Sequence, residues 1–458
     1  MHGAATLARV SRASRLHGIL CHRTFGLGLD VIEAAKAAEA ALPRNAAYRE
    51  ATLAPGIETA LPTAVPSDKP LVALTEIPVQ SWQQLADRAA EANSYYLPEW
   101  ELAVNAFSGK RMNVSALAAW SDTTVGDDLF DPVTAANDND GRLIGLMPAI
   151  SAWRAYRIPL PALVTADAYP PLGAPLLDRD HADAAAGRLM QQARAAGAHA
   201  LILRDLPLDG AVMKAFTKAL SWTGLLPQVL HSHQRAMLDA TRDAEDLLRE
   251  ALGPKKLKEL RRQRNRLADM GDVVFSIAGT PEDAAPALET FLRLEASGWK
   301  ARRGTALVQD KGDTAFIRRA VCDLAARGHC EVISLYAGDT PLAAAVVLRH
   351  LDRAFYFKLG VDERFAKYSP GVQLTLELTR HMCADETIAT VDSTAIPNHP
   401  MIDPIWRDRL TIGDVLIPLR RNDPLVPAIH AALAARRAIR EPARRAVHTL
   451  RKLKEKRS

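Results

Sequence analysis

Lys358-Leu359-Gly360-Val361-Asp362-Glu363-Arg364-Phe365-Ala366-Lys367-Tyr368-Ser369-Pro370-Gly371 is the stretch on which the reading of this chain turns. The apolar run Arg353–Phe357 that enters it reads as a strand, and the run Val372–Met382 that leaves it reads as a helix. Ser369 suits an N-cap, Pro370 the first helical position, and Gly371 a point where another backbone comes close. A helix starting there turns unpaired N–H groups and a positive dipole end toward the loop, beside Lys358, Arg364 and Lys367. That combination suits an anion such as a pyrophosphate, and it also occurs in ordinary strand–loop–helix joints.

Composition narrows the classes. At 458 residues the chain exceeds one usual core, so two domains are expected. With 48% hydrophobic and 24% charged residues it reads as globular. A net charge of +5 is too small for a nucleic-acid footprint over the whole chain, and no DNA partner is expected. Cys21, Cys322, Cys330 and Cys383 form no CxxC pair or ligand spacing. This argues against a disulfide framework or a metal site and fits a reducing cytoplasm. No run of ~18 apolar residues suggests a transmembrane helix.

Residues 1–68, rich in Ala, Pro and Thr, read as a mostly disordered extension, with a short helix at Asp30–Leu42. The basic start, with no acid before Asp30, matches either a transit-type leader or a plain extension. Helices are expected at Ser81–Asn93 and on to Phe107, and strands at Val114–Trp120 and Arg142–Ile150, with a polar loop over 121–140. A helix over His181–Ala196 and a strand His199–Arg204 then echo the later helix Pro370–Met382 and strand Thr387–Asp392. The first of these units carries Asp178, Asp180 and Asp183 where an anion would sit, so it reads as having lost that role. Cys330–Ala337, Pro341–His350 and Ala354–Leu359 read as three antiparallel strands joined by turns, and Thr411–Leu419 as a last strand. The domains are expected at 69–234 and 235–421. A basic helical tail over 422–458 reads as a solvated helix or as a weak contact with an anionic membrane surface.

Four blocks stand in register around the opening stretch. They are the basic run Lys255–Arg266 with Gly271-Asp272-Val273, the run Phe291–Gly304 containing Glu295, Trp299 and Lys300, the run Val391–Asp403, and Ile405-Trp406-Arg407-Asp408-Arg409. In this order they resemble the GNAT-superfamily acetyltransferase domain of the BioF2-like (CelD/BcsL-like) type, a relative of the FemAB peptide-bridge transferases. The resemblance covers about 235–420, and more loosely 80–235. It implies an α/β fold with a mixed sheet (α+β), built as tandem GNAT-like (acyl-CoA N-acyltransferase) lobes with the second one active. It also implies acetyl-CoA as co-substrate, no metal, and transfer of an acetyl group to an amine or hydroxyl of a small-molecule, sugar or envelope-precursor acceptor. Two alternatives are a FemAB-like transferase using aminoacyl-tRNA and a non-catalytic accessory protein of exopolysaccharide or cellulose biosynthesis.

Acetyl transfer needs a held donor, a deprotonated acceptor and a polarised carbonyl. Ser369, Gly371 and Val372 are expected to hold the pyrophosphate, with Arg364 and Tyr368 flanking. Tyr368-Ser-Pro-Gly371 departs from the superfamily's usual Arg/Gln-x-x-Gly-x-Gly/Ala pattern. Asp392, at a strand end, is the first candidate base, followed by Glu295 and His399. Trp299 is expected to wall the acceptor pocket and Lys300 to bind an anionic substrate group. The alternatives are plain: Asp392 as a loop hydrogen bonder, Glu295 on a solvated face, His399 as a loop residue. The basic run Lys255–Arg266 reads as a solvated helix face, or as an RNA contact under the tRNA alternative.

Overall fold

The computed structural model describes residues 69–121, 141–169, 171–221 and 223–455, and side chains within these except those of Lys110 and of residues from 441 onward. The expectations for residues 1–68 and the loop 122–140 lie outside the described residues. All described residues fall in the unit Thr63–Ser458.

The first half runs β1 (Val72–Ala73), α1 (Val79–Asp87), α2 (Pro98–Phe107), β2 (Ser115–Trp120), β3 (Leu143–Ser151), α3 (Ala152–Tyr156), β4 (Ala162–Thr165), β5 (Leu176–Leu177), α4 (Ala182–Ala195), β6 (Ala200–Pro207), α5 (Ala211–Ser221) and β7 (Gln228–Asp239). The second half runs α6 (Ala244–Ala268), β8 (Val273–Ala278), α7 (Pro281–Ser297), α8 (Trp299–Arg302), α9 (Lys311–Ala326), β9 (Cys330–Ala337), β10 (Thr340–His350), β11 (Arg353–Val361), α10 (Pro370–Cys383), β12 (Thr390–Asp392), β13 (Asp408–Pro418) and α11 (Leu425–Glu455).

The strands form one continuous sheet in the order β1-β2-β3-β4-β6-β13-β7-β12-β11-β10-β9-β8, with β5 beside β3. Two pairs are parallel, β4 with β6 and β11 with β12, and each is crossed by a helix, α4 or α10. The order is symmetric about its centre, and the closing strands are exchanged. β7 ends the first half but pairs with β12 of the second, while β13 ends the second half and pairs with β6 of the first. The strand–helix–strand echo read from the sequence is therefore present, but neither half completes its sheet alone.

Alternation along β10 shows how the faces divide. Ala344, Val346 and Leu348 join a core shared by both halves, whereas Ala343, Ala345 and Val347 pack against α6 and α10. In the shared core Tyr95 meets Phe355 at 5.4 Å, and Trp100 meets Phe316 at 4.9 Å and Phe357 at 5.0 Å, edge-on. His350 ties the halves by polar contacts as well. Its Nδ1 accepts from the Asn93 N–H at 2.8 Å and its Nε2 donates to the Ala86 carbonyl at 2.9 Å, which fixes a neutral tautomer. Among the described residues no helix is long and apolar enough to cross a membrane.

Candidate functional site

β11 pairs with β12 only from Arg353 to Phe355 and then runs on to Val361 with β10 as its sole strand partner among the described residues. Where the parallel strands part, a cavity of about 490 Å³ opens. One wall is β11 from Tyr356 to Val361, the other is Ser393–Ala395 after β12, and the first turn of α10 closes the end. Trp299, Lys300 and His399 reach in from the sides.

Two backbone features place the polar groups. The β10–β11 register slips between Val346 and Val347, so that Lys358 faces Val346 and Tyr356 faces Val347, with Phe357 left over. The slip reverses the alternation and turns Lys358 toward α7. At Gly360 a Cβ would stand 2.8 Å from the Glu295 N and 3.1 Å from the Phe291 carbonyl, so only glycine lets α7 lie this close to the strand. Glu295 is thereby buried at the heart of a charged cluster. Its Oε1 is shared by the ammonium groups of Lys300 (3.2 Å) and Lys358 (3.3 Å), and its Oε2 accepts the Leu307 N–H at 2.9 Å. Lys300 donates further to the Leu359 carbonyl at 2.8 Å. Burial holds the Lys300 ammonium below the usual lysine range, opposed by Glu295 and aided by Lys358.

The expected donor-binding residues divide. Ser369, Gly371 and Val372 line the cavity, and Pro370 is the first residue of α10. Ser369 is the N-cap residue, as expected, in a left-handed conformation (φ 54°); its side chain makes no capping bond, and its carbonyl accepts the Gln373 N–H. Gly371 is small for the protein's own packing rather than for a second backbone. A Cβ there would lie 3.1 Å from Leu359 and Val361 and 3.3 Å from Met401. Arg364 and Tyr368 do not line the cavity. The Arg364 guanidinium, largely exposed, grips the Asp362 carboxylate with two nitrogens, and Tyr368 lies under Lys367 at 4.8 Å.

Among the expected bases only His399 lines the cavity. Its Nδ1 accepts the N–H groups of Met401 (3.4 Å) and Ile402 (3.3 Å), and burial, with a smaller push from Lys300, holds its pKa below the usual histidine range against Asp403. A neutral imidazole whose Nδ1 accepts carries its proton on Nε2, so His399 is arranged to donate. Glu295 has both oxygens engaged and acts by placing the two lysines. Asp392 corrects the first expectation outright. It is wholly buried outside the cavity lining, takes the Arg235 guanidinium on Oδ2, and accepts the Thr394 N–H on Oδ1 at 2.8 Å. It is a pillar between β12 and β7, not a reachable base. Of the lining carboxylates, Asp362 is neutralised by Arg364 and Glu363 by Arg302. Each is held below the usual carboxylate range by its arginine's hydrogen bond. The site is thus one of donors: two ammonium groups, an Nε2–H and the first-turn amides of a helix.

The approach to α4 in the first half, the counterpart of the approach to α10, is different. Asp178 is fully buried and held by Arg88 (2.8 Å), Arg142 (3.2 Å) and His181 (3.3 Å), so this carboxylate serves an internal ion cluster.

Residues 254–399 match the family model of the acetyltransferase (GNAT) domain. The matched segment holds every cavity-lining residue except Met401 and Ile402. Among solved structures the chain is similar to FemX at a TM-score of 0.50 and 12% identity, over 77% of this chain and 98% of that one. It is also similar to the C-terminal domain of a putative lysylphosphatidylglycerol synthetase from Agrobacterium fabrum, with a TM-score of 0.46, 12% identity and coverage of 78% and 95%. A tandem GNAT protein from the clavulanic acid biosynthesis pathway matches with a TM-score of 0.35, 13% identity and coverage of 77% and 99%. No curated protein matches. The FemX likeness bears on the fold alone. Together with the GNAT domain it agrees with the mixed α/β sheet expected from the sequence. Among the described residues no cluster of His, Cys, Asp and Glu suits a metal ion.

Proposed function

We propose that the chain is an acyltransferase that takes an acetyl group from acetyl-CoA in the β11–α10 cleft and passes it to an amine or hydroxyl of a small-molecule, sugar or envelope-precursor acceptor. The narrower BioF2-like placement rests on the sequence blocks around this cleft. The carrying observation is that Lys300, Lys358 and His399 line one cavity beside the first turn of α10. The lining fits such a donor chemically. Amide N–H groups suit its phosphates, and Leu359, Val361, Val372 and Ile402 suit its apolar arm. When bound, acetyl-CoA supplies an activated acyl thioester. The residues of this chain then hold the phosphates, orient the carbonyl, and set N–H donors where negative charge grows on the carbonyl oxygen. No free carboxylate lines the cavity, so the acceptor's proton passes to solvent or to the leaving thiolate, and catalysis rests on charge stabilisation.

A second donor, aminoacyl-tRNA, is favoured by one observation. Lys255, Lys256, Lys258, Arg261 and Arg262 are exposed on α6, which packs on α10 through the Gln373 side chain donating to the Leu260 carbonyl at 2.8 Å. A thermal-shift comparison separates the donors, because a ligand that binds only the native state raises its melting temperature, by about 2.7 kcal/mol of stability at 100 Kd. A shift with acetyl-CoA and coenzyme A but not tRNA supports the first reading. A shift with tRNA alone supports the second, and none with either removes both.

A further inference from the structure

A second cavity, of about 280 Å³, lies on the far side of the first half, between α11 and the sheet. Arg436, Arg437, Arg440, His430 and His231 line it, and the one lining acid is Asp414. α11 is seated by Val426 and Ile429, which pack on β4, β6 and β13, so its basic turn is held in a fixed place. Arg436 lies over the Tyr156 ring at 4.7 Å and donates to the Tyr156 carbonyl at 3.1 Å, while Arg437 donates to the Leu230 carbonyl at 3.3 Å.

Two large apolar side chains stand exposed on the helices that form this basic cavity. Trp153, one turn before Tyr156 on α3, is 53% exposed, and Ile439, one turn after Arg436 on α11, is 74% exposed. Beyond them α11 continues to Glu455, and its sequence adds Arg444, Arg445, Arg451, Lys452 and Lys454 against Glu441 and Glu455. Exposed tryptophan and isoleucine at the rim, arginines within, and a basic helix extending onward are the groups that a lipid headgroup layer accommodates. A free phosphorylated metabolite would use the arginines but would leave Ile439 in water and Trp153 with only the Arg157 guanidinium, 5.6 Å from its ring.

We propose that this face docks on an anionic membrane, with a lipid phosphate entering the cavity between Arg437 and Arg440. The inference stands apart from the acyl-transfer reading and does not depend on it. It places the protein at a membrane surface by peripheral contact, with no spanning helix among the described residues.

The test is co-sedimentation of the full chain with phosphatidylcholine vesicles, with and without phosphatidylglycerol, alongside calorimetry with inorganic phosphate. Sedimentation that needs phosphatidylglycerol is expected. Each neutralised arginine should weaken it about fivefold, so R437Q/R440Q should lose roughly 25-fold at an unchanged melting temperature. Ile439→Ser should weaken binding without altering charge. R440Q alone, at an exposed side chain, guards against a folding defect in the double variant. Three results would overturn the proposal: no preference for phosphatidylglycerol, saturable binding of inorganic phosphate with no vesicle binding, or loss only in R451Q/K452Q/K454Q, which would assign the contact to the tail and not to the cavity.

Discussion

Arg235 of β7 and Asp392 of β12 face each other with both side chains fully buried, 157 residues apart in sequence. The arginine also donates to the Pro171 carbonyl at 2.6 Å, so one guanidinium joins the loop after β4 to the strand beside the cavity. Removing one member of a buried ion pair leaves the other without compensation, at a cost of about 3–5 kcal/mol. Asp392→Asn should therefore lower stability by an amount of that order in denaturant titration. Any turnover lost should track the unfolded fraction. Full stability with abolished turnover would restore Asp392 to the chemistry.

The pairing also shows what the sequence could and could not reveal. The strand–loop–helix passage through Gly371 was legible, because a short apolar run, a charged loop and Ser369-Pro370-Gly371 lead into a helical pattern. β7 was not. Its His231, Ser232, His233, Gln234 and Arg235 hide a central strand behind polar residues, and Arg235 is paid back only by a carboxylate from the other half of the chain. The turn of Lys358 toward Glu295 depends on a register slip that no local pattern announces. Glu295, Trp299, Lys300 and His399 were legible as a neighbourhood but not in their roles, because role follows from which lone pairs are already taken.

His350 makes stability depend on pH. Burial lowers its pKa to about 4, and both ring nitrogens are engaged as a neutral imidazole. The unfolded chain takes up the proton near pH 6.5 and the folded chain does not until about 4. Its contribution is therefore complete above 6.5 and is lost as pH falls through that window, by about 3 kcal/mol in all. Urea titrations at pH 7, 5.5 and 4.5 should show a shallower loss in His350→Gln, from a lower starting stability. Parallel pH dependence in the two proteins would contradict the assignment.

The exchanged strands predict the behaviour of a fragment. Residues 230–421 keep the cavity but strip β13 of its ladder with β6, which runs from Ile412 opposite Pro207 to Pro418 opposite Ala200. They also uncover Phe316, Phe355 and Phe357, which pack on Tyr95 and Trp100. The fragment should be insoluble, or should bind a hydrophobic dye and melt without cooperativity. A cooperative unfolding transition would show that the second half stands alone.

The donor site is tested most directly at Val372, the third residue of α10, whose side chain lines the cavity. An acid there suits the helix start, so Val372→Asp should fold, yet it sets a negative charge where the phosphates are placed. Val372→Asn has nearly the same shape without the charge. Calorimetry with acetyl-CoA should give saturable binding to the native chain, a loss of a few-fold at most for Asn, and a loss of about tenfold or more for Asp, since 1.4 kcal/mol of repulsion suffices. No binding to the native chain, or equal binding by the Asp and Asn variants, would contradict acetyl-CoA in the β11–α10 cleft.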